Sequence, residues 1–439
     1  MKTMRNGILA LAAIVVLTAC CMQARAGSTL EQAQASRPKA TRAEYDAFQA
    51  AAAEKNPQQK VTLLDGFVAK YPNSEYLPYV YDDYWKTYVA LKQWTKVIEY
   101  LDKLLALPEV GAGPKLEYYY RRAATFEYAY NAKSPDLADA STKARDSALA
   151  GLKALNEFQK PAQATEEQWN TFKKTYTTQF YNTAASASFY LKDYKAAADD
   201  YHSALEAEPQ QPVDDYRMGI ADLQETPPQF IAGFWALARA IDLKVPDADK
   251  VTSFLRDKIA AYQLPGCDSS LDAQVKELLT LAQNSQDPPG GYSIPSAADL
   301  AKVRESANIQ TVLADLKAGG DKGKLTWLAV CNGQFPEALA KAYDVNTATP
   351  DAFVIKAAVG ITEDELNAST AANADLKLAA GQPTVSRLEK DSIFRFSGKL
   401  TGYTPDPFYM TWDSVTVNPE DIPEEKGKKP AKRPGKAKP

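Results

Sequence analysis

The sequence predicts a mainly α-helical protein, in which a solenoid of helix hairpins precedes a small β-barrel-like domain. Two observations lead to this prediction. From Thr41 onward, apolar residues recur every three or four positions, which is the period of amphipathic helices. From Asp351 the period changes to the alternation that is typical of half-buried strands, as in Phe353, Ile355 and Ala357. The chain therefore has a helical part and a β-rich part.

The clearest helical pattern lies in Tyr181–Pro209, which breaks at Leu191–Asp193 into two helices. Small residues line one side of the first helix, and aromatic and small residues recur along the second: Ala184, Ala185 and Ala187, then Tyr194, Ala197, Tyr201 and Ala204. This pattern resembles the tetratricopeptide repeat (TPR), a helix–turn–helix unit of about 34 residues. The resemblance implies hairpins that stack on one another, because a single hairpin cannot bury its apolar face.

The same resemblance implies a binding groove lined by the first helix of each repeat. By register, the groove residues are Tyr79, Asp82 and Lys86 in one repeat and Asn182, Ser186 and Phe189 in the Tyr181 repeat. Such a groove offers aromatic stacking and amide hydrogen bonds to an extended peptide. The alternative, in which some of these aromatic residues belong to the core between repeats, stays equally open.

The change of period sets the predicted domain boundaries. Helical repeats are expected over 41–285, a helical connector over 286–350 that ends with a helix at Pro336–Tyr343, and a β-rich domain over 351–420. In the last of these, the spacing Phe394-x-Phe396-x-Gly398 and the following meander resemble a small oligonucleotide/oligosaccharide-binding (OB) barrel. The remaining residues, 421–439, form a basic tail that is expected to be disordered.

The N-terminus has the pattern of an export signal over 1–26, followed by a linker over 27–40. Basic residues precede the apolar run Ile8–Val16, which is too short to span a bilayer. Leu17–Cys20 resembles a bacterial lipobox, which implies lipidation of Cys20, whereas Ala24–Ala26 fits ordinary signal cleavage. The lipobox is favoured because it directly adjoins the apolar run. We therefore expect a periplasmic protein, anchored to the outer membrane by lipid if the lipobox is used.

Two further cysteines, Cys267 and Cys331, would remain in an oxidising compartment after signal removal. A disulfide between them and two unpaired small apolar residues are equally open interpretations, because sequence alone does not show that they meet. No Cys-x-x-Cys motif occurs, which excludes the common redox and zinc-knuckle patterns.

The amino-acid composition of the 439-residue chain limits the catalytic sites, metal sites and partners that can be expected. Its single histidine, His202, leaves no histidine pair for a metal site and little scope for a catalytic triad, and it is expected on an exposed helix face. A net charge of −4 argues against nucleic acid as a partner. We expect no metal and no cofactor. The predicted function is a non-enzymatic scaffold that binds protein or peptide partners in the bacterial cell envelope; the alternative is a module whose C-terminal domain binds glycan or another polymer.

Overall fold

The computed structural model describes residues 40–264, 267–346 and 353–424. Sixteen α-helices and five β-strands lie within these ranges. The helices are α1 (Arg42–Ala53), α2 (Pro57–Lys70), α3 (Leu77–Ala90), α4 (Trp94–Ala106), α5 (Ala112–Ala129), α6 (Leu137–Glu157), α7 (Glu166–Tyr190), α8 (Tyr194–Ala207), α9 (Pro212–Gln224), α10 (Phe230–Asp242), α11 (Ala248–Tyr262), α12 (Asp268–Ala282), α13 (Ala297–Ser306), α14 (Ile309–Ala318), α15 (Gly320–Val330) and α16 (Glu363–Ala368). The strands are β1 (Gln334–Asn346), β2 (Val354–Gly360), β3 (Ala374–Leu378), β4 (Ile393–Pro405) and β5 (Phe408–Val417).

The chain divides into two compact units. The first, which we name the hairpin unit, contains the described residues up to Leu255 together with Leu278–Gly291. The second, the barrel unit, contains Arg256–Glu277 and the described residues from Tyr292 onward. The mainly helical architecture with a C-terminal barrel is therefore confirmed.

In the hairpin unit, every helix from α1 to α9 packs against the next helix in the chain, and α5 also packs against α7. This nearest-neighbour arrangement is solenoid-like. We name α3, α5, α7 and α9 the first helices of their hairpins, and α4, α6, α8 and α10 the second helices. The apolar core follows the same pattern, because it consists of several clusters that each join neighbouring helices.

Capping residues define both ends of α7, the first helix of the hairpin with the clearest sequence pattern. Thr165 caps α7 through a reciprocal pair of hydrogen bonds with Gln168, at 3.1 and 3.0 Å. The helix then runs without interruption for 25 residues, so the segment around Trp169 is continuous with the predicted Tyr181 helix. Lys192 ends the helix in a left-handed conformation, with φ of 63°, at the break predicted from the sequence.

Small residues allow close helix contacts in this unit. Ala185 is fully buried in the same cluster as Tyr201 of α8. At the α9–α10 contact, a Cβ atom added to Gly219 would lie 2.8 Å from the carbonyl oxygen of Gly233, and one added to Gly233 would lie 3.0 Å from the carbonyl oxygen of Gly219. The two backbones therefore touch, and any larger side chain would separate the helices.

The barrel unit contains a closed barrel with the strand order β1-β2-β3-β5-β4. Strands β3 and β5 pair in parallel, and every other neighbouring pair is antiparallel, including the closing pair β1–β4. One large apolar cluster fills the barrel and continues onto helices of the same unit. At its centre the fully buried ring of Trp412 packs edge-on against Phe396 and Phe335, with ring centres 5.2 and 5.4 Å apart.

The structure corrects one predicted element. The helix predicted at Pro336–Tyr343, inside the expected helical connector, is wrong, because these residues belong to strand β1. Alanine has a high helix propensity, but Ala338, Ala340 and Ala342 are buried at every second position, as in a strand. Pairing with β2 and β4 thus overrides the helix propensity of alanine. The barrel begins at Gln334 and not at 351.

Other predicted features concern the barrel unit or the chain ends. Cys267 and Cys331 are joined by a disulfide, with Cα atoms 5.5 Å apart. The predicted signal segment with Cys20, the linker before residue 40 and the tail from residue 425 lie outside the described residues. Within the described ranges, no helix has the length and apolar character needed to cross a membrane.

Candidate functional site

Three of the predicted groove residues lie on α3, and two of them, Asp82 and Lys86, are in contact. The indole Nε1–H of Trp85 donates to Asp82 Oδ1 at 2.8 Å, and the ammonium of Lys86 pairs with the same carboxylate. From the next first helix, the hydroxyl of Tyr118 donates to Asp82 Oδ1 at 3.4 Å. Tyr79 is 37% exposed and the side chain of Lys86 is 56% exposed, so both can contact another molecule.

A second polar group is centred on Ser186 of α7. Its hydroxyl donates to Glu127 Oε1 of α5 at 2.6 Å and lies 3.0 Å from the hydroxyl of Tyr201. Arg217 of α9 donates from Nη1 to the same Ser186 oxygen at 3.3 Å. Ser186 is only 4% exposed, so it joins neighbouring hairpins and has little surface left for a partner.

Asn182 and Phe189, on the same helix, are also engaged within the unit. Asn182 donates from Nδ2 to Asp214 Oδ2 of α9 at 2.8 Å. Its Oδ1 atom is buried and has no hydrogen-bond partner within the described part of the chain. Phe189 is half-buried, and its ring centre lies 5.3 Å from that of Tyr194 in α8.

Glu127 and Arg217 form a two-bonded ion pair at the centre of this group. Arg217 Nη1 lies 2.6 Å from Glu127 Oε1, and Nη2 lies 3.2 Å from Oε2. Burial opposes ionisation, but the charge of Arg217 and the hydrogen bonds from Arg217 and Ser186 together outweigh it and lower the pKa of Glu127. For Asp214, which is 6% exposed, burial dominates over the charge of Arg217 and raises the pKa to about 6. The side chains of Arg217 and Glu127 remain 34% and 39% exposed.

Polar contacts of this kind link the first helices along the unit. Asp82 connects α3 to α5, and Glu117 of α5 accepts a hydrogen bond from Tyr176 of α7. Glu127 connects α5 to both α7 and α9. We name these side chains the first-helix face: Tyr79, Asp82, Lys86, Glu117, Tyr118, Glu127, Tyr176, Asn182, Ser186, Asp214 and Arg217. It is a row of donors, acceptors and aromatic rings with individual members still open to solvent.

The structure brings together only part of the predicted groove set. Asn182 and Ser186 belong to one network, whereas Asp82 and Lys86 form a separate pair on α3. The ring of Tyr79 contacts Phe48 and Tyr76. Sequence reasoning did not identify three central members of the network: Glu127, Asp214 and Arg217. Their sequence neighbourhoods contain other charged residues and gave no distinguishing signal, so the register between helices was needed to identify them.

His202, the single histidine of the chain, lies beside two acidic side chains. The Nε2 atom of His202 lies 3.1 Å from Asp287 Oδ1, and Nδ1 lies 3.9 Å from Glu206 Oε1. No serine, threonine or cysteine in the described ranges is hydrogen-bonded to this ring. The same ranges contain no group of three or more His, Cys, Asp or Glu side chains that could hold a metal ion.

Comparison with known proteins adds no family assignment: no protein-family model matches the chain, and no curated protein matches it significantly. The first-helix face therefore has to be interpreted from its own geometry.

Proposed function

We propose that this protein is a non-enzymatic scaffold of TPR type that binds a protein or peptide partner along the first-helix face, in the bacterial cell envelope. One observation carries the proposal. The first-helix face joins successive hairpins by polar contacts and still leaves Tyr79, Lys86, Glu127 and Arg217 at least a third exposed. An extended peptide presents alternating carbonyl and amide groups, which such a row of donors, acceptors and rings can satisfy.

Two features support a location outside the cytoplasm. The N-terminal pattern of basic residues, the apolar run Ile8–Val16 and Cys20 is that of an exported, lipidated protein. The disulfide between Cys267 and Cys331 agrees with an oxidising compartment, because disulfides rarely persist in the cytosol. On this proposal, lipid on Cys20 anchors the protein to the outer membrane.

Site-specific photo-crosslinking in intact envelopes tests the proposal. A photo-reactive residue is placed at Tyr79 or Lys86, and captured peptides are identified by mass spectrometry. The matched control is Lys153, which is exposed on the second helix α6. We expect a shared partner from 79 and 86 and none from 153. The proposal fails if neither groove position captures a partner, or if 153 captures the same set.

A second function, polymer binding by an OB-like barrel, is favoured by one observation. Lys356 of β2 and Lys377 of β3 are exposed on adjacent strands, where they can contact an anionic glycan or polymer. Truncation at 351 is unsuitable for testing it, because β1 lies before that residue and would lose its partners β2 and β4. Replacing both lysines with glutamine in the full chain is the better test. Loss of retention on anionic polymer resins, with partner capture from position 79 intact, would support it.

A further inference from the structure

The hairpin unit contains a cavity of about 400 Å³ beside the second helices, apart from the first-helix face. It is lined by α8, by the C-terminal end of α9, by the start of α10 and by the segment that follows α12. Part of the lining is apolar, through Ala198, Met218 and Pro227. The polar part includes four acidic residues, Asp199, Asp222, Glu225 and Asp287, of which Asp222 is the most buried.

Asp222 lines this cavity although it is only 7% exposed. Its carboxylate makes no hydrogen bond or ion pair with any other residue that the structure describes. Burial, together with the negative charges of Glu225 and Asp199, raises the pKa of Asp222 to about 7. A buried carboxylate without a donor is costly to ionise, so a cation bound in the cavity would stabilise the charged form of Asp222.

The cations of the cavity are engaged elsewhere. The Lys195 ammonium lies 2.9 and 3.1 Å from the two carboxylate oxygens of Asp199. The ring of His202 lies 3.1 Å from Asp287. Neither Lys195 nor His202 therefore pairs with the Asp222 carboxylate.

A second polar group in the lining is also unsatisfied. The amide nitrogen of Gln286 is buried and has no hydrogen-bond partner among the described residues. A half-turn of the amide presents its oxygen at the same place, and that oxygen can accept a hydrogen bond. Asp222 and Gln286 thus offer acceptors, and the adjacent alanine, methionine and proline side chains offer apolar contact.

These features favour an organic cation over a metal ion. No three metal-ligating side chains in the described ranges are grouped closely enough to hold a metal. An ammonium group is compact and carries three donors, and its hydrocarbon stem can lie against the apolar part of the lining.

We propose that this cavity binds a primary ammonium group carried on a short aliphatic chain, with Asp222 as its counter-ion. Such a group comes either from a small free amine or from a lysine side chain of another protein. The ligand would pair with the buried carboxylate of Asp222, and its site lies apart from the side chains of the first-helix face.

Calorimetric titration of the full-length protein at about pH 8, where Asp222 is ionised, tests the proposal. The ligands are pentan-1-amine, pentan-1-ol and lysine blocked at both its α-amino and carboxyl groups. We expect the amine to bind and the alcohol of the same length to bind at least about tenfold more weakly, because it lacks the charge. If the blocked lysine binds more tightly than pentan-1-amine, the natural ligand is a lysine side chain of another protein. If the blocked lysine does not bind and pentan-1-amine does, the natural ligand is a small free amine.

Asp222→Asn removes the charge and keeps the shape of the side chain. It should fold at least as well as the natural chain, since it removes a buried unpaired charge, and it should weaken amine binding about tenfold or more. Asp146→Asn is the matched control, because Asp146 is exposed on α6 away from the cavity. The proposal is overturned if neither amine binds, if pentan-1-ol binds as tightly as the amine, or if Asp222→Asn leaves the affinity unchanged.

Discussion

The hairpin unit and the barrel unit bury their apolar residues in different ways. In the hairpin unit the core is split into clusters, such as the one that joins Ala185, Tyr201 and Met218. In the barrel unit one cluster extends from Cys267 through the helices to Trp412 in the barrel. In the hairpin unit, contacts are made between neighbouring hairpins. In the barrel unit, contacts between strands close the barrel. A local change should therefore stay local in the hairpin unit and spread in the barrel unit.

The units also differ in their buried polar groups. In the hairpin unit, buried charges such as Asp215 and Arg239, 3.2 Å apart, join neighbouring helices. The barrel interior is apolar, and the Nε1 atom of Trp412 is buried there without a partner among the described residues. A chain of stacked hairpins keeps polar side chains between repeats, and some of these remain accessible to a partner. This difference suggests why the first-helix face, and not the barrel core, is the candidate for recognition.

The largest effect is expected from Trp412→Ala. Removing this fully buried ring should destabilise the barrel unit by about 3–5 kcal/mol, because its contacts with Phe335 and Phe396 are lost and a cavity remains. Hydrogen exchange measured by mass spectrometry should show faster exchange in all five strands.

The matched variant in the hairpin unit is Phe180→Ala, which also removes a fully buried ring. Faster exchange should then be confined to the helices that share its cluster, α5, α6 and α7. The comparison of the two units is wrong if Trp412→Ala affects β5 alone, or if Phe180→Ala affects every hairpin equally.

Loss of the disulfide should have the next largest effect. Replacing both Cys267 and Cys331 with serine should destabilise the barrel unit by about 2–4 kcal/mol, since the bridge closes a long loop of 64 residues. Chemical denaturation followed by exchange in each unit measures this change. A reducing agent should lower the midpoint of the natural chain and leave that of the double variant unchanged. Equal loss in the hairpin unit would contradict the separation of the two cores.

A smaller effect is expected at the helix contact of Gly219. Gly219→Ala should destabilise the hairpin unit by about 1–3 kcal/mol, because the new methyl group would meet the Gly233 carbonyl at 2.8 Å. Gly66→Ala is the control: Gly66 lies in helix α2 with no atom within 4 Å of the added carbon. That change should stabilise the unit by about 0.5–1 kcal/mol. Thermal unfolding of both variants checks the opposite signs.

The smallest effect is a difference in pH dependence. Burial raises the pKa of Asp222 to about 7. Between about pH 4 and about pH 7, Asp222 therefore holds a proton in the folded hairpin unit that it has released in the unfolded chain. The stability of the hairpin unit should consequently fall as pH rises through this range. In the barrel unit, hydrogen bonding to Arg395 lowers the pKa of Asp421, so that contribution is present above about pH 4 and is lost as pH falls further.

Exchange measured in each unit between pH 5 and 7 separates the two behaviours. Asp222→Asn should reduce the slope of the hairpin unit and leave the barrel unit unchanged. Part of the slope should remain, because burial also raises the pKa of Asp214 to about 6 and that of Asp215 to about 7. An unaltered slope in this variant would show that other groups govern the pH dependence.

Sequence reasoning succeeded where the signal was local. The helix break at Leu191–Asp193 and the alternating pattern of the strands could be predicted, because both depend on residues that are only a few positions apart in the chain. It failed at β1, where alanines favour a helix in isolation and only pairing with β2 and β4 selects a strand. It also left the network around Ser186 incomplete, since Glu127 and Arg217 are 90 positions apart in the chain.

The sequence by itself determined that this protein consists of amphipathic helix hairpins followed by a β-rich domain, because hydrophobic period and small-residue spacing are properties of short segments. Only the tertiary structure decided which charges meet on the first-helix face, where the barrel begins, and that Asp222 lies in a cavity without a partner. Each of these depends on the register between helices or strands that are distant in the chain, and that register is fixed by packing and not by any local pattern.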